Sequence, residues 1–267
     1  MRQHTSSIAS FFTPRNGVTA ARLLYEERNN PALARIYESY AWFVPLSLFR
    51  SPLSSLPALA FRERRYQYED QRPDLYFPFL RAEPWWPDDE ITALLERSHP
   101  QILADFNGVE TQARKHAQKY LVSGGDWSVF NLFRDNRKIE ENCAACPFTT
   151  QLIESLPTCP DGGGLAYYSI MAPGTHVNPH CAFTNSRLRY HLGLDTDGGA
   201  RIRVGKESRN WQTGVAFVFD DSFDHEVFHE GERRRVIFLV DCWHPELTLE
   251  ERHMIRNLMA ALGLPDR

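Results

Sequence analysis

The sequence is short of several things, and each shortage excludes a class. No apolar run approaches the ~20 residues that a membrane-crossing helix needs; the longest candidate, residues 40–49, is broken by Pro45. Residues 1–14 hold no apolar stretch of the kind a secretory signal carries. Cysteine is scarce and irregular: Cys143, Cys146, Cys159, Cys181 and Cys242 make an odd set. A disulfide framework is not expected, and a reducing, cytoplasmic setting is. Basic charge is not in excess, since 30 Lys and Arg face 34 Asp and Glu for a net charge of −4. A nucleic-acid binder would need a basic face, although a local basic pocket remains open. There is no internal repeat or low-complexity tract. No Walker loop, GxGxxG, HExxH or GxSxG element is present. The lone Cys143-Ala144-Ala145-Cys146 would need a second pair to hold zinc, so structural cysteines or a redox pair are its readings. Gly162-Gly163-Gly164 lacks a following Lys-Ser/Thr and reads as a turn.

What is present describes a soluble globular chain. Its 267 residues are 42% hydrophobic and 24% charged, enough to bury a core without disulfide staples. Residues 1–90, punctuated by Pro14, Pro31, Pro45, Pro52, Pro57, Pro73, Pro78, Pro84 and Pro87, read as an N-terminal extension of irregular and short helical segments, such as 20–38, packed on the core. Residues 91–267 read as the main domain. Residues 88–120 have helical spacing, with Asp88 as a cap before Ile91, Leu94 and Leu95, and Pro100 opening a second helix that buries Ile102, Leu103 and Phe106.

The period changes near residue 120. Segments 120–122, 127–133, 165–171, 186–194, 201–205, 215–220 and 235–243 read as strands between turns, which indicates a β sandwich or barrel. In 186–194, Leu188, Tyr190, Leu192 and Leu194 share one face, and Arg187, Arg189 and His191 share the other. The chain ends in a helix opened by a Thr248/Glu251 capping box, with Met254, Ile255, Leu258 and Leu262 as its apolar side and Gly263 as its stop. The fold class expected is mainly β, with flanking helices.

Seven of the ten histidines lie between His176 and His253, where a metal site should be sought. His180 stands in Asn178-Pro179-His180-Cys181-Ala182, and His225, 45 positions on, stands in Asp221-Ser222-Phe223-Asp224-His225-Glu226-Val227. A mononuclear iron(II) oxygenase uses an early His-x-Asp/Glu and a distant second His. The spacing fits that pattern, but Ala182 stands where the carboxylate would be. Hydrogen-bonded histidines at strand ends are the other reading. If the Arg187/Arg189/His191 face turns inward, an anionic partner is expected, because buried unpaired charge is costly and arginine grips carboxylates with its planar fork. Solvent-facing basic residues are the alternative. Arg235 opens the apolar strand Val236-Ile237-Phe238-Leu239-Val240 as either a strand-end snorkel or a carboxylate clamp; Arg233 and Arg234 read as solvated.

Tyr168-Ser169-Ile170-Met171-Ala172-Pro173-Gly174-Thr175-His176-Val177 through His180 resembles the aspartyl/asparaginyl β-hydroxylase family. So do Thr184-Asn185-Ser186-Arg187-Leu188-Arg189-Tyr190-His191-Leu192-Gly193-Leu194, the run 219–227, and Arg235 through Asp241-Cys242-Trp243-His244-Pro245-Glu246-Leu247. The resemblance covers roughly residues 120–255, with weaker similarity at Gly125-Asp126-Trp127-Ser128, Glu141-Asn142 and Pro147, and leaves residues 1–90 unexplained.

The resemblance implies a double-stranded β-helix (jelly-roll, cupin-like) core that holds Fe(II) and 2-oxoglutarate and uses O2. It implies His180 and His225 as iron ligands, with Ala182 supplying none, as in family members that carry glycine there. Two neutral imidazoles hold Fe(II) weakly, so chelation by the 2-oxo acid should help retain it. Asp221 is implied as an acceptor orienting a ligand histidine or water. Arg235 and Ser169 match the clamp for the distal carboxylate. Arg189 and His191 match residues near the chelating end or the substrate carboxylate, and Arg187 then faces substrate. Phe133, Phe183 and Tyr190 are candidates to narrow the substrate pocket, with core packing as the alternative. The remaining histidines, His176, His229, His244 and His253, are expected to be structural or solvated.

The implied reaction couples oxidative decarboxylation of 2-oxoglutarate to oxidation of a substrate C–H bond, with succinate and CO2 as coproducts. Hydroxylation of the β-carbon of an amino acid or amino-acid-derived substrate, free or in a peptide, is the expected outcome. Cyclisation, desaturation or halogenation by the same cofactors, and a non-catalytic cupin-like binding module, are the alternatives. No nucleic-acid or membrane partner is expected.

Overall fold

The structure, a computed structural model, describes residues 22–23, 29–36, 66–116, 119–134, 137–158 and 164–262. Gly263, Cys159, Gly162, Gly163, the 40–49 stretch, Pro14, Pro45, Pro52, Pro57 and most of the expected 20–38 helix lie outside these residues. Two short helices, α1 (Glu90–Arg97) and α2 (His99–Val109), precede the strands β1 (Arg114–Lys115), β2 (Val122–Ser123), β3 (Trp127–Arg134) and β4 (Arg137–Lys138). Helices α3 (Glu140–Ala145) and α4 (Pro147–Ser155) follow. Eight further strands make the core: β5 (Ala166–Met171), β6 (His176–His180), β7 (Arg187–Asp195), β8 (Ala200–Val204), β9 (Glu207–Asn210), β10 (Ala216–Phe219), β11 (His225–His229) and β12 (Arg235–Trp243). Helix α5 (Leu249–Leu262) ends the described chain.

The strands form two antiparallel sheets. The larger runs β1-β3-β5-β12-β7-β10, with β4 on β3; the smaller runs β2-β6-β11-β8-β9. From β5 onward the pairing is nested. β5 joins β12, β6 joins β11, β7 joins β10 and β8 joins β9. A long hairpin folded over on itself gives this order, which is the double-stranded β-helix of jelly-roll and cupin folds.

Side-chain alternation then decides what lies inside. On β12, Val236, Phe238, Val240 and Cys242 join Leu188, Tyr190, Leu192 and Leu194 of β7 in a core beneath α1, α2 and α4. The opposite phase of each strand (Arg235, Ile237, Leu239 and Asp241 on β12; Arg187, Arg189 and His191 on β7) turns into the barrel. The two-faced burial of β12, all nine residues of it, explains its near-continuous apolar run.

The strands expected at 127–133, 165–171, 186–194, 201–205, 215–220 and 235–243 are all present within a residue or two. Others differ or were not foreseen. Residues Lys119–Leu121 form a 3-10 turn, and only Val122–Ser123 pairs. β6 and β11 carry Pro179 or interleaved histidines, and β9 is wholly polar; their partners, not their own patterns, make them strands. Helix α1 is capped by Asp89 rather than Asp88. The Asp89 carboxylate accepts from the Ile91 and Thr92 N–H groups, and Thr92 Oγ1 accepts from the Asp89 N–H at 2.8 Å. A cap at Asp88 would have put apolar Ile91 in that reciprocal place. The Thr248/Glu251 box is formed in both directions, at 2.9 and 3.2 Å.

Residues 66–90 lie against the barrel. Leu75, Tyr76, Phe77 and Leu80 pack with Trp243, Leu247 and the apolar side of α5. Isolated bridges join Gln71 to Phe223, Leu75 to Thr184 and Trp85 to Phe219.

Candidate active site

His180 ends β6 and His225 begins β11, and the two are direct cross-strand partners. Their rings lie 4.1 Å apart, centroid to centroid. His180 Nδ1 is 2.8 Å from the Asn178 carbonyl and His225 Nδ1 is 2.9 Å from the Phe223 carbonyl. A carbonyl can only accept, so each Nδ1 carries the proton and each Nε2 keeps its lone pair. Burial depresses both imidazoles, and each is pushed further down by neighbouring cations such as Arg189. Neutral rings with matched tautomers and adjacent Nε2 atoms are what a metal ion requires of two histidines. Among the described residues no group of three His, Cys, Asp or Glu side chains could hold a metal. Ala182 donates its N–H to the Asp221 carbonyl and offers no ligand. Among the described residues, the candidate donor set at this place is two imidazoles.

A second cluster lies deeper. Arg235 is 1% exposed, and its Nη2 donates to Ser169 Oγ at 2.7 Å. Its guanidinium stacks 4.5 Å from the Trp211 ring, and its Nε has no hydrogen-bond partner. Burial pushes it down to about 9, and no carboxylate offsets this, so it is still cationic at neutral pH. Ser169 Oγ also accepts from Trp127 Nε1 at 2.9 Å, which leaves the hydroxyl proton to be donated elsewhere. Trp211 Nε1 donates to His191 Nδ1 at 3.3 Å, so the His191 proton sits on Nε2, a buried donor with no partner. His229, expected to be structural or solvated, is buried on the inward face of β11. Its Nδ1 accepts from the Gly231 N–H, and its Nε2 is likewise without a partner. Phe219 lies between the two clusters, 5.0 Å from the His191 ring and 6.0 Å from that of His225. Buried donors without acceptors are costly. With the Arg235 guanidinium near the rings of His191 and His229, this donor set fits an anion such as a carboxylate.

The arginines of β7 point inward, which settles the choice left open by the alternation. Both already have carboxylate partners. Arg189 binds Asp241 through two 2.8 Å bonds and reaches Asp221 at 3.0 Å. Arg187 lies 3.5 Å from Asp221 and 3.6 Å from Asp241. Burial pushes the Asp241 carboxyl up, but Arg187 and Arg189 outweigh it and hold it low. Asp241 shares the inward phase of Arg235 six positions along β12, a period-two signal that reading the strand as apolar obscured.

Four expectations change. Asp221 makes no hydrogen bond to either histidine: backbone carbonyls orient the rings, its Oδ2 is held by the two arginines, and its buried Oδ1 has no partner. Phe133 would share the inward phase of Val129 and Asn131, but a register shift between Asn131 and Phe133 turns it into the outer core. Tyr190 lies on that outer side too, its hydroxyl donating to Asp89 at 2.6 Å. Phe183 packs with the α5 layer. The aromatic rings beside the Arg235–Ser169 cluster are Trp127, Tyr167 and Trp211, with His116 stacked 3.7 Å from Trp127; of these the sequence drew attention only to Trp127. Cys143 and Cys146 are buried free thiols, and burial pushes Cys146 up to about 12, so they are structural.

The aspartyl/asparaginyl β-hydroxylase family matches residues 88–245. The chain is similar to human aspartyl/asparaginyl beta-hydroxylase, 40% identical over 186 residues, which is 66% of this chain and 24% of that protein. It is similar also to rat aspartate beta-hydroxylase domain-containing protein 2, 36% identical over 204 residues, 71% of this chain and 60% of that protein. It thus spans less than two thirds of either relative. A predicted oxalate decarboxylase from Thermotoga maritima aligns at 11% identity over 49% of this chain and 91% of that one, with a TM-score of 0.34. The match across more than half the chain, over the strands that carry both histidines, places this protein in the aspartyl/asparaginyl β-hydroxylase family.

Proposed function

We propose that the chain is an Fe(II)- and 2-oxoglutarate-dependent oxygenase that uses O2 to hydroxylate the β-carbon of an aspartyl- or asparaginyl-type substrate, as a free amino acid or within a peptide. The observation that carries the reading is the pairing of two unlike half-sites in one barrel: two neutral imidazoles with free Nε2 lone pairs, and, beyond Phe219, a buried arginine with no carboxylate. A 2-oxo diacid has one chelating end and one carboxylate end, and it satisfies both.

In this reading His180 and His225 hold the metal through Nε2. Arg235 and the Ser169 hydroxyl grip the distal carboxylate, and His191 Nε2 donates to the same molecule. The bound iron with its 2-oxo acid supplies oxidative decarboxylation that turns dioxygen into a C–H hydroxylating agent, yielding succinate and CO2. The chain keeps the Nδ1 protons fixed on backbone carbonyls, so the ligand tautomers do not change through the cycle. The Arg187/Arg189/Asp221/Asp241 cluster faces the barrel interior close to His180 and His225, where substrate polar groups would meet it. A carboxylate there would compete with Asp221 and Asp241 for existing bonds.

The test is to incubate the purified chain with Fe(II), 2-oxoglutarate, oxygen and a panel of aspartyl and asparaginyl amino acids and peptides. The expected products are succinate and a substrate that has gained one oxygen by mass spectrometry. Loss of two hydrogens would contradict hydroxylation, and the absence of succinate across the panel would contradict the oxygenase reading.

A further inference from the structure

The family match begins at residue 88, yet a segment upstream of it is bound to the turns that carry both histidines. The turn 220–224, which precedes His225, is fully buried at Asp221, Ser222 and Phe223. Gln71, itself 0% exposed, donates from Nε2 to Ser222 Oγ at 2.9 Å and to Asp220 Oδ2 at 3.2 Å. The Asp70 carbonyl accepts the Asp224 N–H at 2.6 Å, and the Arg72 N–H donates to the Ser222 carbonyl at 3.3 Å. The strap therefore holds the turn on both sides of Phe223, whose carbonyl fixes His225 Nδ1. The same strap reaches the His180 side. Cys181 Sγ lies 4.0 Å from the Asp70 carbonyl, and the Leu75 N–H donates to the Phe183 carbonyl at 2.8 Å. The two turns are tied directly by the Ala182 N–H on the Asp221 carbonyl at 2.7 Å.

We propose that Gln71 is a positioning residue for the His180–His225 pair, acting through Ser222 and Asp220 to hold the turn that aims His225 Nε2. This rests on the reading of the two histidines as metal ligands. With only two protein ligands, no third side chain corrects a misaimed ring, so the backbone acceptor at Phe223 and what holds it govern the geometry. Partners one layer behind a metal ligand commonly shift metal affinity by about 10–100-fold. Gln71 is two layers behind, and its effect is set by how far the turn relaxes when the amide is lost.

Gln71→Met keeps the length and bulk of the side chain and removes both hydrogen bonds; Ser222→Ala removes one. The probe is Mn(II), titrated calorimetrically into the metal-free protein with 2-oxoglutarate present, alongside a thermal melt. Gln71→Met should give a cooperative melt and a Mn(II) Kd raised about 10-fold, with Ser222→Ala raising it by less. Folded variants that bind Mn(II) as tightly as the parent would overturn the proposal. If Gln71→Met does not fold, Ser222→Ala decides alone, and an unchanged Kd again overturns it. His225→Ala serves as the reference: if it too leaves Mn(II) binding intact, the ligand pair itself fails, and the strap proposal with it.

Discussion

At the scale of single residues, the least expected feature is a buried arginine without an acid. A charge in that position costs folding free energy, and Arg235 offsets little of it with one hydroxyl and one indole face. The cost is recovered when an anion arrives, so binding and stability should respond in opposite directions. Arg235→Ala should weaken 2-oxoglutarate binding about 10–100-fold, since each charged hydrogen bond lost is worth about 1.5–3 kcal/mol. The melting temperature of the ligand-free variant should hold or rise. Calorimetric titration and a thermal melt measure both, and an unchanged dissociation constant would remove Arg235 from the pocket. The arginines of β7 show the contrasting case. Arg187 is buried and Arg189 mostly so, but each already has carboxylate partners in Asp221 and Asp241. Sequence alternation placed all these side chains on the correct face. It could not say which were paired, because Asp241 arrives from another strand and Asp221 from a turn.

At the scale of elements, the turn between β10 and β11 concentrates unusual chemistry. Burial raises the Asp220 carboxyl to about 8, and the neighbouring Asp221 adds to the effect, while hydrogen bonds from Ser222 and Gln71 work against it. A carboxyl whose folded pKa is raised contributes stability below its ordinary value, and loses it as pH climbs through the folded value. The contribution from Asp220 should therefore decline from about pH 4 to about pH 8. Asp220→Asn keeps an acceptor without the ionisation. Its melting temperature should fall less than that of the parent between pH 5 and 8, whatever the shared histidines contribute. Parallel pH profiles of the two proteins would contradict this.

The same turn shows where the sequence was readable. The strands with clean alternation or continuous apolar runs, β3, β5, β7, β8, β10 and β12, were evident from period alone. β6, β9 and β11 were not, because their polar and proline-broken sequences become strands only through their neighbours. The two histidines stood out by spacing but sit on those less readable strands, so the histidine pair was visible before its scaffold was. Phe133 was misplaced by a single register shift, which inverts the face of everything beyond it.

At the scale of the molecule, the fold is two antiparallel sheets that bring two differently built side-chain clusters to the same interior. The His180–His225 pair comes from the smaller sheet, and the Arg235–Ser169–His191 cluster comes from the larger one. Nested jelly-roll pairing brings them together, since β11 and β12 are consecutive but lie in opposite sheets. Residues 66–87 lie against the barrel and α5 packs against them, so this segment upstream of the family match is built into the same body. Among the described residues no helix is long and apolar enough to cross a membrane. The central claim is that the imidazole pair and the Arg235 pocket form one site for iron and a 2-oxo diacid. Anaerobic titration of Fe(II) and 2-oxoglutarate into the protein tests it most directly. The account predicts a visible metal-to-ligand charge-transfer band that needs both components and is lost in His225→Ala. A folded parent protein that shows no such band at saturating Fe(II) and 2-oxoglutarate would contradict it.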